Sequence, residues 1–115
     1  MRALNTPSGK PFRYRNCPDG EIIVYPSDKE GLQQDKEALV ITPFTIRLIV
    51  AAIQENGRIL MGASRDNPPK SSLGRLLKDI NQSPQQLSYL TAILAAEGSC
   101  RIEKDGNAFV IIHRR

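Results

Sequence analysis

The chain has no tryptophan, and aromatic residues make up only 5% of it, so its core is expected to be aliphatic. Cysteine and histidine are almost as scarce. Cys17 and Cys100 lie far apart and form no C-x-x-C pair; with a single histidine, His113, they offer no zinc spacing. Reduced, buried thiols are expected, and no metal or other cofactor. No apolar run approaches the roughly 20 residues that span a bilayer, and no basic-then-apolar leader opens the chain. The expectation is a cytoplasmic protein with no membrane partner. Neither a G-x-S-x-G elbow nor a P-loop occurs, and the acids alternate with bases instead of gathering. An enzyme is therefore not expected.

What is present is ordinary in amount and uneven in place. Hydrophobic residues make up 40% and charged residues 24% of 115 residues, which suits one compact domain. The net charge is +4. Residues 1–41 carry six Lys/Arg against six Asp/Glu, residues 42–67 three against two, and residues 68–115 seven against four. The excess lies mainly in the second half, where it is compatible with a polyanionic partner.

Along residues 1–41, MRALNTPSGKP reads as a flexible lead-in. PFRYRN and EIIVYP flank CPDG, in which Pro18 fixes φ and Gly20 permits φ > 0, so a hairpin is expected. Phe12 and Tyr14 alternate with Arg13 and Arg15, as in a half-exposed strand. SDKEGLQQDKEAL reads as a polar linker or a marginal helix. This segment, residues 1–41, is taken as an N-terminal hairpin or extended arm.

From Thr42 the pattern becomes helical. Thr42-Pro43 supplies an N-cap and a first-turn proline, Ile46, Ile49, Val50 and Ile53 fall on one face, and Asn56-Gly57 closes the helix. RILM reads as a short strand and GASRDNPPK as a loop. Ser71 or Ser72 caps a second helix over 72–80 that buries Leu73, Leu76, Leu77 and Ile80 and turns Arg75, Lys78 and Asp79 outward. Asn81-Gln82 forms the turn. Ser83-Pro84-Gln85-Gln86 fits a capping box, with the Ser83 hydroxyl accepting from the Gln86 N–H and the Gln86 side chain reaching back. Leu87, Leu90, Ile93 and Leu94 give the buried face of a third helix over 84–97, ended by Gly98. The period then falls to two. CRIEK and NAFVIIHR flank Asp105-Gly106, a type I′ hairpin signal that sets Ile102 opposite Phe109 and Cys100 opposite Ile111, all four on the core face.

The order from residue 40 on is helix, strand, helix, tight turn, helix, hairpin. It resembles the winged helix-turn-helix domains of bacterial and archaeal transcription regulators. The resemblance covers about residues 40–115 and is carried by SSLGRLLKDINQSPQQLSYLTAILAAEGSCRIEKDGNAFVIIHRR, with LAAEG and DG-x-x-x-x-I most characteristic. It implies an α+β winged helix-turn-helix fold over 42–115, with helix 84–97 as recognition helix and hairpin 100–113 as wing. It implies a small transcription regulator binding double-stranded DNA, with dimerisation a common accompaniment.

On that reading Gln85, Gln86, Ser88 and Tyr89 face the bases, opposite the leucines and beside Ala92. Glutamine can bond adenine with two hydrogen bonds, and serine can serve either base type. Phosphate contacts fall to Lys70, Ser71, Ser72, Arg75 and Lys78 before the helix, and to Arg101, Lys104, Arg114 and Arg115 around the wing. Helix 84–97 itself carries no Lys or Arg. That absence, with Ala92, Ala95 and Ala96 along its second half, gives the competing expectation of a protein-interaction adaptor. A third expectation makes the N-terminal hairpin the binding element, through Arg13, Tyr14 and Arg15.

Overall fold

A computed structural model describes residues 1–26, 38–63 and 67–114. Within these the protein is α+β, with three α-helices and two antiparallel sheets. Of the polar segment expected as linker or marginal helix, 27–39, residues 27–37 lie outside the described residues, and Leu39 opens a strand.

The first sheet is a meander of β1 (Arg2–Asn5), β2 (Pro11–Asn16), β3 (Ile22–Pro26) and β4 (Leu39–Ile41), in that order. The expected hairpin is its centre, with Tyr14 opposite Val24. The lead-in and the arm are corrections. Residues 2–5 pair with 11–14 through a turn in which the Thr6 N–H donates to Lys10 O (2.8 Å) and the Lys10 N–H to Thr6 Oγ1 (3.0 Å). Alternation along β2 buries Phe12 and Tyr14 and exposes Arg13 and Arg15. With Tyr14 only 1% exposed, no base can stack on it, and the hairpin's aromatic role is structural.

Thr42 caps α1 (Pro43–Asn56), its Oγ1 accepting from the Thr45 N–H, and Gly57 ends it at φ +71°. The buried face is Thr45, Ile49, Ala52 and Ile53, with Ile46 and Val50 only half-buried at its edge. After β5 (Arg58–Leu60) comes α2 (Leu73–Asp79), capped by Ser72. Here too the expected face narrows. Leu73 and Leu77, one turn apart, face the core and are fully buried, whereas Leu76 and Ile80, the next row round the helix, are 36% and 41% exposed. Pro84–Gln86 is a turn of 3-10 helix and leads into α3 (Leu87–Ala96). The C-terminal hairpin is β6 (Cys100–Asp105) and β7 (Ala108–His113), and β5 joins it on the β7 side to give the order β5-β7-β6.

The hairpin's register differs from the expected one. Ile102 pairs with Ile111 and Lys104 with Phe109, so the turn is Gly106-Asn107, not Asp105-Gly106. Gly106 takes φ +63° and Asn107 keeps φ negative, the requirement of a II′ turn with glycine first. The pairing has slid by two residues, so the facing side chains change but the sheet face does not. Cys100 and Ile111 are buried, with Ile102 and Phe109 packed at the margin of the same core.

That core is continuous. Phe12, Tyr14, Val24 and Ile41 from the first sheet share one cluster with Ile49 of α1, Leu77 of α2, Leu90 of α3 and Ile111 of β7. The radius of gyration, 13.3 Å, matches the ~13 Å expected for a single domain of this length. At one point the packing is backbone on backbone. The Gly74 N–H donates to Met61 O (2.8 Å), and a Cβ on Gly74 would overlap the Gly62 carbonyl. Gly62 itself holds φ +62° with Ser72 against it, so neither position accepts a side chain.

Candidate nucleic-acid interface

The four residues expected to face bases begin at Ser83. Its Oγ accepts from the Gln85 N–H at 3.3 Å, and the Gln86 Nε2 donates to the Ser83 carbonyl at 3.0 Å. The capping box is thus altered. A 3-10 turn is tighter than an α-turn, so the hydroxyl meets the second N–H and not the third. The same turn rolls Gln86 inward, leaving it 4% exposed. Gln86 is therefore corrected from a base-facing residue to a buried one. Gln85 is exposed, and Ser88 and Tyr89 are half-buried. Tyr89 packs edge-on against Phe12, with ring centroids 5.1 Å apart at 78°. Its cover comes from the first sheet of the same chain. Ala92, expected on the open side, is buried as well, because α3 is packed on more than its leucine side.

At α2 the expected phosphate contacts divide. Lys70 and Ser71 are exposed, Ser71 with φ +63°. Ser72 is fully buried, donating to Pro69 O (2.7 Å) and accepting from the Arg75 N–H (3.1 Å), so it cannot meet a phosphate. Arg75 is half-buried and not outward: its Nη2 donates to Pro68 O at 2.9 Å and to Asn67 Oδ1 at 3.4 Å. Its Nε is buried with no hydrogen-bond partner among the described residues. Arg75 ties the 67–69 loop to α2 and is withdrawn from the candidate surface. Lys78 is half-buried.

On the wing Lys104 is exposed, and Arg101 pairs with Glu103 at 3.2 Å. Arg58 of β5 reaches Glu103 and Asp105 at 3.8 Å each, so acids and bases alternate across this edge. Such exposed pairs are worth under about 1 kcal/mol each. They do offset charge that a polyanion would otherwise meet. Arg114 is exposed, and its N–H donates to Ser99 O at 3.3 Å. Arg115 lies outside the described residues.

What the fold gathers is a walled face. Gln85, Gln86, Ser88 and Tyr89 line a cavity of about 360 Å³ whose opposite wall is the β1–β2 turn, with Thr6, Ser8 and Lys10. Ser88 and Ala63 also line a second cavity of about 340 Å³, which continues past Met61 to Asn107 and Phe109 at the wing. Lys78 and Gln85 border a third, more open hollow at the α2–α3 corner. Sequence reasoning missed the wall residues Thr6, Ser8 and Lys10. The available signal was TPSGK, a set of turn residues that suits a hairpin as well as a loose lead-in.

Chemically the face offers, among the described residues, hydroxyl and amide groups and the cations Lys10 and Lys78. Among the described residues no three His, Cys, Asp or Glu side chains gather as a metal site would need. Burial pushes the Cys100 thiol above its ordinary pKa, which favours the protonated, less nucleophilic form. No helix is long and apolar enough to cross a membrane, among the described residues. No protein-family model, no curated protein and no solved structure matches the chain.

Proposed function

We propose that the chain is a non-enzymatic DNA-binding protein of winged-helix type, acting in transcription regulation. One observation carries this reading: the order α1-β5-α2-α3-β6-β7, in which β5 pairs with the returning strand of the hairpin. That order sets two short helices at a corner beside a wing, the arrangement in which a second helix enters the major groove.

The side chains revise how such binding works. Gln85 and Ser88 are the groups left for base edges, glutamine favouring adenine. Lys70, Lys78, Lys104 and Arg114 serve phosphates, joined by Lys10 from the first sheet. Anisotropy titration on duplex DNA should give an affinity falling with salt at a log–log slope of about −4.5, as five neutralised phosphates require. Replacing Lys70, Lys78 and Lys104 with glutamine should remove binding and leave the melting temperature in place. A triple variant that binds like the parent sinks this surface.

A protein-interaction module is favoured by a separate observation, the exposed Leu76 and Ile80 on α2 beside an ion-paired wing. That reading requires no duplex binding at moderate salt. Light scattering decides whether the partner is a second copy, as in regulators that bind paired half-sites.

A further inference from the structure

We propose that the two cavities beside α3 form one groove for a small monoanion with an apolar body. They adjoin, with Ala63 and Ser88 in the wall of both. Their volumes, about 360 and 340 Å³, each fall in the range of small-molecule sites.

The two ends differ in chemistry. At the first-sheet end Lys10 is the single charged side chain among the described lining residues, and Ser8, Ser83 and Ser88 line the same cavity. One cation among neutral donors, with no carboxylate among the described lining residues, suits a single negative charge; a polyphosphate would need more cations. At the wing end Leu60, Met61, Pro69 and Phe109 give an apolar lining. This end is preformed. The Met61 N–H donates to Phe109 O at 3.0 Å, and the Gly62 and Gly74 backbones lock against each other below it. A ligand entering there need not order its own site.

The test uses the full chain with 2-naphthoate and its neutral analogue 2-naphthamide, followed by amide NMR. The expected result is saturable shifts at Lys10, Ala63, Ser88 and Asn107 with naphthoate, and at least tenfold weaker binding of naphthamide. Lys10→Gln should bring naphthoate down to the naphthamide level with the melting temperature unchanged. Ser88→Phe, which fills the junction of the two halves, should abolish both. Equal affinity for the two probes, shifts centred elsewhere, or no saturable shift overturns the groove.

A competition rests on the DNA reading. Since Gln85 and Ser88 line the groove, bound naphthoate should weaken duplex binding. Naphthoate binding without any duplex binding sinks the DNA reading alone; duplex binding without naphthoate binding sinks the groove alone.

Discussion

Tyr14 is the largest fully buried side chain, and its hydroxyl has no hydrogen-bond partner among the described residues. A buried, unsatisfied polar group costs about 1–3 kcal/mol. Tyr14→Phe should therefore hold or raise stability in urea unfolding, the reverse of the usual sign for a core change; a loss above about 1 kcal/mol would reveal a partner for that hydroxyl. The cysteines differ in the same local way. Cys17 is half-buried and Cys100 is buried with its pKa raised. A thiol reagent at neutral pH should label Cys17 quickly and Cys100 only on unfolding. The raised pKa also fixes a sign. Cys100 supports the fold fully below the ordinary thiol value of 9.0, and that support is lost as pH rises from there through the raised pKa of the folded thiol, because the unfolded chain ionises first. Urea midpoints of the parent and Cys100→Ala should converge as pH rises above about 9.0.

At the scale of elements, α2 is the sharpest test, because neighbouring leucines meet opposite environments. Leu77→Ala should cost roughly 2–5 kcal/mol, and Leu76→Ala under about 1 kcal/mol. Equal costs would mean that Leu76 is covered in solution, as the protein-interaction reading requires. Much of this element structure was legible. Thr42-Pro43, Asn56-Gly57 and the leucine periods placed α1 and α2 within a residue or two, since caps and apolar spacing are local signals; α3 begins three residues later than expected because Pro84–Gln86 is a 3-10 turn. The strands β1 and β4 were not legible, because RALN and LVI are too short to show alternation and are held by pairing with distant residues. Nor was the hairpin register, since Asp105-Gly106 and Gly106-Asn107 are both sound turns and the sequence spacing allows either. In the candidate site Gln85 and Ser88 were read correctly as outward or partly so, whereas Gln86 and Ser72 were not. Their burial depends on a 3-10 turn and on a loop folding back, neither of which leaves a periodic trace.

For the whole molecule, the continuous core makes the first sheet part of what holds α3. Phe12 touches Tyr89 and shares its cluster with Leu90, so residues 42–114 are not covered without residues 1–26. The full chain should unfold in a single cooperative transition by circular dichroism, and removing residues 1–16 should abolish it. A truncated chain that still unfolds cooperatively at a similar midpoint would show that the sheet is an accessory layer.

The slide of the C-terminal hairpin has an engineering consequence. β7 is held at its base by β5 and by the His113 N–H bonding to Gly57 O, and β6 starts from a chain pinned by the Ser99 N–H to Leu94 O. Only the tip beyond these anchors is free to vary. Because the inward set of Cys100, Ile102, Phe109 and Ile111 survives any shift by two, the tip works like a ratchet with a two-residue tooth. Loops grafted in even steps should leave the body of the protein undisturbed, while odd steps would have to be absorbed by a bulge.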